Sequence, residues 1–113
     1  MADNSTTIST LREAARRFND ERHWEPFHSP KNLAMGMACE AAELMEHFLW
    51  LDCEQSIQAV KDPAKLAEVM DEVADVAVYL LNMTNCLGVD LSEAIIAKMA
   101  KNAIKYPASR PGP

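Results

Sequence analysis

Glu40 and Glu43 stand three residues apart in GMACEAAELMEH (residues 36–47), a stretch otherwise rich in Ala, Met and Leu, and His47 follows one helical turn later. Positions spaced i, i+3, i+7 and i+10 share one narrow helix face, so Glu40, Glu43, His47 and Trp50 form a stripe, with Gly36 one turn before it. A second stripe reads Glu68, Glu72, Asp75, Tyr79 and Asn82. Apolar residues border both. Leu33, Met37, Leu44, Phe48 and Leu51 flank the first, with Ala38, Ala42, Met45 and Leu49 beyond, and Val69, Val73, Val76, Val78 and Leu80 surround the second. Glu40, Glu43, Glu72 and Asp75 are therefore expected to converge where a core should lie.

Burying one unpaired carboxylate costs several kcal/mol, and like charges close together add to that cost. Lys and Arg are absent from both stripes as drawn. That leaves protonation, a basic side chain from elsewhere, or a metal ion. An all-oxygen donor set without cysteine suits Mg2+, with Mn2+ as a substitute. The usual fate of acidic residues is a solvated helix face, but acids doubled on two apolar helices argue against it here.

The elements that must carry these stripes can be read from caps and breakers. A first helix is expected from about Ser9 to Arg22, burying Leu11, Ala14, Ala15 and Phe18. HWEPFHSPKN (residues 23–32) is a loop forced by Pro26 and Pro30, and Ser29-Pro30 caps a second helix over about Pro30–Leu51. DCEQSIQAVKDP (residues 52–63) is polar and weakly patterned, a loop with room for a short helical turn. Asp62-Pro63 opens the longest helix, about Pro63–Leu87, which Gly88 ends. Asp90 and Glu93 make a capping-box pattern that starts a last helix near Leu91, running to about Tyr106. PASRPGP (residues 107–113) is a tail. The expected fold class is all-α: one domain over residues 1–113, ordered over about 9–106, a four-helix bundle-type protomer completed by homo-oligomerisation.

Composition narrows the function classes. The 113 residues are 49% hydrophobic and carry a formal charge of −6, which favours a folded globular domain and speaks against a primary role on nucleic acid or an anionic membrane. Three cysteines, Cys39, Cys53 and Cys86, have no CxxC pairing, so neither a disulfide framework nor a zinc site is expected. The opening MADNSTTIST resembles no secretory signal. A cytoplasmic location is expected.

The acidic stripes also sit in a wider pattern. E-x-x-E (Glu40, Glu43) followed by E-x-x-D (Glu72, Asp75) resembles the signature of the all-α nucleoside triphosphate pyrophosphatases of the MazG type. W-x-x-F-H-x-P-x-N-L (Trp24–Leu33), Trp50, E-x-x-D-x-x-x-Y (Glu72–Tyr79) and K-x-x-x-N-x-x-x-Y-P (Lys98–Pro107) resemble its dCTP pyrophosphatase branch. The resemblance covers about Leu11–Pro107. It implies hydrolysis of a nucleoside triphosphate to the monophosphate and pyrophosphate, clearing surplus nucleotides, with Mg2+ held by Glu40, Glu43, Glu72 and Asp75. It also implies a homodimer or homotetramer whose site is walled by more than one subunit.

Such chemistry needs positive or hydrogen-bonding groups along the phosphate tail. Lys98, Asn102 and Lys105, spaced i, i+4, i+7 on the last helix, supply them unless they form an ordinary solvated lysine face. Glu43 is the first choice for the general base and Glu40 the second. Trp24 and Trp50 offer rings for stacking the nucleobase, His28 a polar contact, and Tyr79 a hydroxyl one turn beyond Asp75. His47 reads equally as a satisfied core histidine. The sequence argues against a di-iron carboxylate bundle, because no His follows these glutamates by three. The remaining rival is a non-enzymatic helical interaction module whose acidic stripes pair with a basic partner.

Overall fold

Asp62 Oδ1 accepts from the Ala64 backbone N–H at 3.1 Å, and Pro63 occupies the first helical position, where a missing N–H costs nothing. The helix so launched, Pro63–Leu87, ends at Gly88 in the left-handed conformation, φ 64. The computed structural model describes residues 1–109 and 112, so Arg110, Pro111 and Pro113 of the expected tail lie outside the described residues. Among the described residues there are five α-helices and no strand: α1 (Ile8–Glu21), α2 (Pro30–Glu46), α3 (Cys53–Ala59), α4 (Pro63–Leu87) and α5 (Leu91–Lys105), with a 3-10 turn at Glu25–Phe27. The all-α expectation holds.

Two boundaries depart from the sequence reading. The segment expected as a loop with a short turn contains α3, stabilised by a reciprocal capping box: Gln55 N donates to Asp52 Oδ1 at 2.7 Å, and Asp52 N donates to Gln55 Oε1 at 2.9 Å. Helix α2 stops at Glu46, five residues before the expected end. His47 N–H reaches back to Leu44 O (3.3 Å) and Phe48 N–H to Met45 O (2.9 Å), so the chain tightens to i→i−3 bonding. That winding has three residues per turn instead of 3.6, which throws Trp50 off the face that Glu40 and Glu43 share.

Helix α4 is the axis of the molecule. Its main neighbour is α2, and α1 lies along it more narrowly. Leu33 on α2 is completely buried, and Val69 and Leu81 on α4 are nearly so; burying an aliphatic side chain of this size contributes about 1.5–3 kcal/mol. The α1–α4 contact is polar. Arg12 donates to Asn85 Oδ1 (3.0 Å) and Thr84 O (3.1 Å), Asn85 Nδ2 donates to Arg12 O (3.0 Å), and Asn19 Nδ2 donates to Asn82 Oδ1 (2.9 Å). The expected burial of Leu11, Ala14, Ala15 and Phe18 is not seen: α1 has no buried residue. Those side chains line an open cavity between α1 and α4 instead.

Much apolar surface stays uncovered. Met35, Met45, Leu49, Met70, Ile96, Met99 and Ile104 are all exposed, and α5 has no buried residue. The accessible surface is 8738 Å², whereas a folded monomer of this mass exposes roughly 6,200 Å². The radius of gyration is 16.8 Å, against about 13 Å for a closed domain of this length.

Candidate functional site

The pairing of α2 with α4 sets the two acidic stripes face to face. Carboxylate oxygens of Glu40, Glu43 and Glu72 lie within 4.8 Å of one another. Glu40 and Glu72 are half-buried and Glu43 is exposed. Asp75 falls outside that tight set and is exposed, although its charge bears on both Glu40 and Glu72. Three of the four expected acids are thus brought together, with the fourth beside them.

The electrostatics of this group are unfavourable as it stands. Burial holds the Glu40 carboxyl above the usual carboxylate range, and the neighbouring Glu43 raises it further, followed by Asp75 and Glu72. Glu72 is raised by burial and then by Glu43 and Asp75, with His47 opposing. Glu40 Oε2 and Glu72 Oε2 are buried and no hydrogen-bond donor reaches either. A buried acceptor without a donor is unfavourable, and more so when it is charged. Protons can relieve the repulsion by being shared within the group. A hard cation would relieve it better, because it would also give carboxylate oxygens that no donor reaches a partner.

Two basic groups stand on the outer flank of Glu72. His47 Nε2 lies 3.8 Å from Glu72 Oε1, and its Nδ1 is 3.3 Å from Lys65 Nζ. Lys65 also approaches Glu68 Oε2 at 3.4 Å. The sequence reading missed Lys65, having begun the α4 stripe at Glu68. The signal was present: Lys65, Glu68 and Glu72 are spaced i, i+3, i+7. Lys65 does not touch Glu40 or Glu43, so it leaves the centre of the acidic group uncompensated.

Beyond Asp75 opens a cavity of about 510 Å³ lined by Phe18, Trp24, His28, Asp75, Tyr79 and Asn82 among others. His23 at φ 55 turns the chain out of α1 and Trp24 N–H bonds back to Asn19 O at 3.0 Å, which sets the indole and the Phe18 ring at a steep angle of 70° with centroids 5.6 Å apart. Tyr79 lies flat on α2 at Gly36, where a Cβ would stand 2.6 Å from the ring Cζ and 2.9 Å from the hydroxyl. His28 is half-buried, and its backbone carbonyl accepts from Cys86 Sγ. Trp24, His28 and Tyr79 therefore share one cavity next to the acids.

The other sequence candidates lie apart. Trp50 is 89% exposed in the turns after α2, contrary to its expected place at the end of the acidic stripe. Lys98 and Lys105 are exposed and Asn102 half-buried on α5; Lys105 rests 5.3 Å above the Tyr106 ring, and the protomer brings none of the three to the carboxylates, because α5 does not pack on the α2–α4 pair.

Fold and site together define an all-α protein whose two principal helices gather carboxylates beside an aromatic-lined cavity. A model of the MazG-like family matches residues 37–111. Relatives named dCTP pyrophosphatase 1 are 38% identical over 102 residues in Rattus norvegicus, covering 89% of this chain and 59% of that protein, and 37% identical over 103 residues in Homo sapiens, covering 90% and 60%. The chain thus spans about 60% of the length of these curated relatives. Among solved structures, a pyrophosphatase from Archaeoglobus fulgidus DSM 4304 superposes with a TM-score of 0.84 at 34% identity, covering 95% of this chain and 98% of that one. The chain belongs to the MazG-like family.

Proposed function

We propose that the chain is a nucleoside triphosphate pyrophosphohydrolase that uses Mg2+ to convert a dCTP-like deoxynucleoside triphosphate to its monophosphate and pyrophosphate. One observation carries this reading: two buried, donorless carboxylate oxygens, Glu40 Oε2 and Glu72 Oε2, in a trio of acids whose neighbour Asp75 lines an aromatic cavity. The relatives named dCTP pyrophosphatase support the substrate class.

Glu40, Glu43 and Glu72 would hold Mg2+ or Mn2+, with Asp75 completing the set on the cavity side. Bound there, the ion supplies positive charge against which negative charge develops on the departing pyrophosphate. Glu43 is the exposed member of the trio and the one whose oxygens are not trapped, which suits it to take a proton from the attacking water; Glu40 is the second choice. Trp24 and Tyr79 stack and orient the nucleobase, His28 gives it a polar contact, and the cavity walls exclude water from that end. Trp50, Lys98, Asn102 and Lys105 reach the triphosphate only in an oligomer in which a second copy closes the site. The excess exposed surface and the stand-off of α5 support a homodimer or homotetramer. No helix among the described residues is long and apolar enough to cross a membrane, and Cys39, Cys53 and Cys86 are all free thiols, which fits a reducing cytoplasm.

The test is incubation with each deoxynucleoside triphosphate and Mg2+. Monophosphate plus pyrophosphate is the expected product pair, fastest with dCTP or a close analogue. Orthophosphate, or no turnover with any of them, would sink the proposal.

A further inference from the structure

Glu72 has two oxygens in different surroundings. Oε2 is buried and meets no donor, while Oε1 faces His47 Nε2 at 3.8 Å. On the far side of the imidazole, Lys65 Nζ is 3.3 Å from Nδ1 and 3.4 Å from Glu68 Oε2. Nδ1 also lies 3.9 Å from Glu68 Oε2, but Lys65 Nζ is the nearer group, and because an ammonium has donors and no acceptor, Nδ1 is the acceptor in that closer contact. A neutral imidazole that accepts at Nδ1 carries its hydrogen on Nε2, the ring nitrogen on the Glu72 side, 3.8 Å from Oε1 and within reach of a hydrogen bond after a small rotation of either side chain. His47 is itself half-buried, with a side chain 18% exposed, so few waters compete for the donor.

We infer that His47 is a positioning residue: with Lys65 against its Nδ1, it turns an Nε2–H toward Oε1 of Glu72, engages that oxygen and so leaves Oε2 to the cation. The inference rests on Glu40, Glu43 and Glu72 being cation ligands. Its physical content is a choice between two oxygens of one carboxylate. Without the Nε2–H, Glu72 is free to rotate and offer either oxygen, and the site loses the preorganisation that a fixed ligand confers. Outer hydrogen-bond partners of metal ligands typically carry roughly 10- to 100-fold in affinity.

The experiment is titration of the nucleotide-free protein with Mn2+ alone, followed by calorimetry, for the wild-type chain, His47→Leu and His47→Gln. Leucine fills the space without a donor; glutamine restores an N–H at similar reach. Helix content by circular dichroism accompanies each variant. The expected result is an Mn2+ dissociation constant raised roughly 10- to 100-fold by His47→Leu and returned to within a few-fold of wild type by His47→Gln. Unchanged affinity in a folded His47→Leu protein would overturn the inference, as would a His47→Gln protein as weak as His47→Leu, since the donor would then be irrelevant. A wild-type chain that binds no Mn2+ would remove the ligand reading itself, and this inference with it.

Discussion

At the scale of single residues, the acids between α2 and α4 are held at a cost to the metal-free fold. Glu40 and Glu72 both have carboxyls raised above 4.5 by burial and by Glu43. A raised carboxyl binds more protons folded than unfolded, so stability falls as pH rises through the window from 4.5 up to the raised value. In chelator, the melting temperature is expected to be higher at mildly acidic than at neutral pH. Saturating Mg2+ should flatten or reverse that trend, because a cation competes with the protons. A chelated protein whose melting point rises steadily with pH over this window would contradict it. Glu40→Gln isolates the cause: it removes one charge from the trio while keeping its shape. The variant is expected to melt higher than wild type in chelator and to lose turnover by at least about 100-fold, the scale of a lost acid-base or ligand group. Full activity in Glu40→Gln would exclude Glu40 from the site.

At the scale of elements, one glycine controls how α2 and α4 meet above the acids. Gly36 precedes Glu40 by one turn and Tyr79 follows Asp75 by one turn, and the Tyr79 ring occupies the space a Cβ at position 36 would need. Gly36→Ala gains about 1 kcal/mol of helix propensity against about 1–3 kcal/mol of overpacking. The ring can yield by swinging into the cavity, so stability should fall by no more than about 2 kcal/mol, the difference between those terms. The larger effect is expected on substrate: a displaced Tyr79 narrows the slot, raising KM several-fold with kcat little changed. Equal KM values for Gly36→Ala and wild type would mean that Tyr79 does not line the bound base. Element boundaries matter in the same way at the other end of α2. Its early stop at Glu46 leaves His47 on the flank of Glu72 but turns Trp50 to solvent.

At the scale of the whole molecule, the openness of the protomer supports the proposal that it works as an oligomer. It exposes about 2,500 Å² more than a closed chain of its mass would, an excess of the size that permanent interfaces bury. Ile104 is 83% exposed on α5, a helix with no buried residue. Light scattering after gel filtration is expected to return two or four times 12.6 kDa. Ile104→Asp should shift the population toward smaller species and lower turnover with it, because Lys98 and Lys105 share that helix. A fully active monomer would dismiss the shared-site arrangement.

The helices themselves were legible from the sequence because their signals are local: Ser29-Pro30, Asp62-Pro63, Gly88 and Asp90 each act within one turn, and α4 runs over the expected residues. The pairing of Glu40 and Glu43 with Glu72 was legible too, since a stripe of acids on an apolar helix has few places to go. Tertiary structure alone decided the rest. Asp75 stands beside the trio, α1 joins α4 by polar bonds, and Phe18 borders a cavity, because these depend on how far and at what angle helices approach. Lys65 and His47 meet on one side of Glu72 for the same reason: their partnership spans two helices, and no spacing along either helix specifies the distance between them.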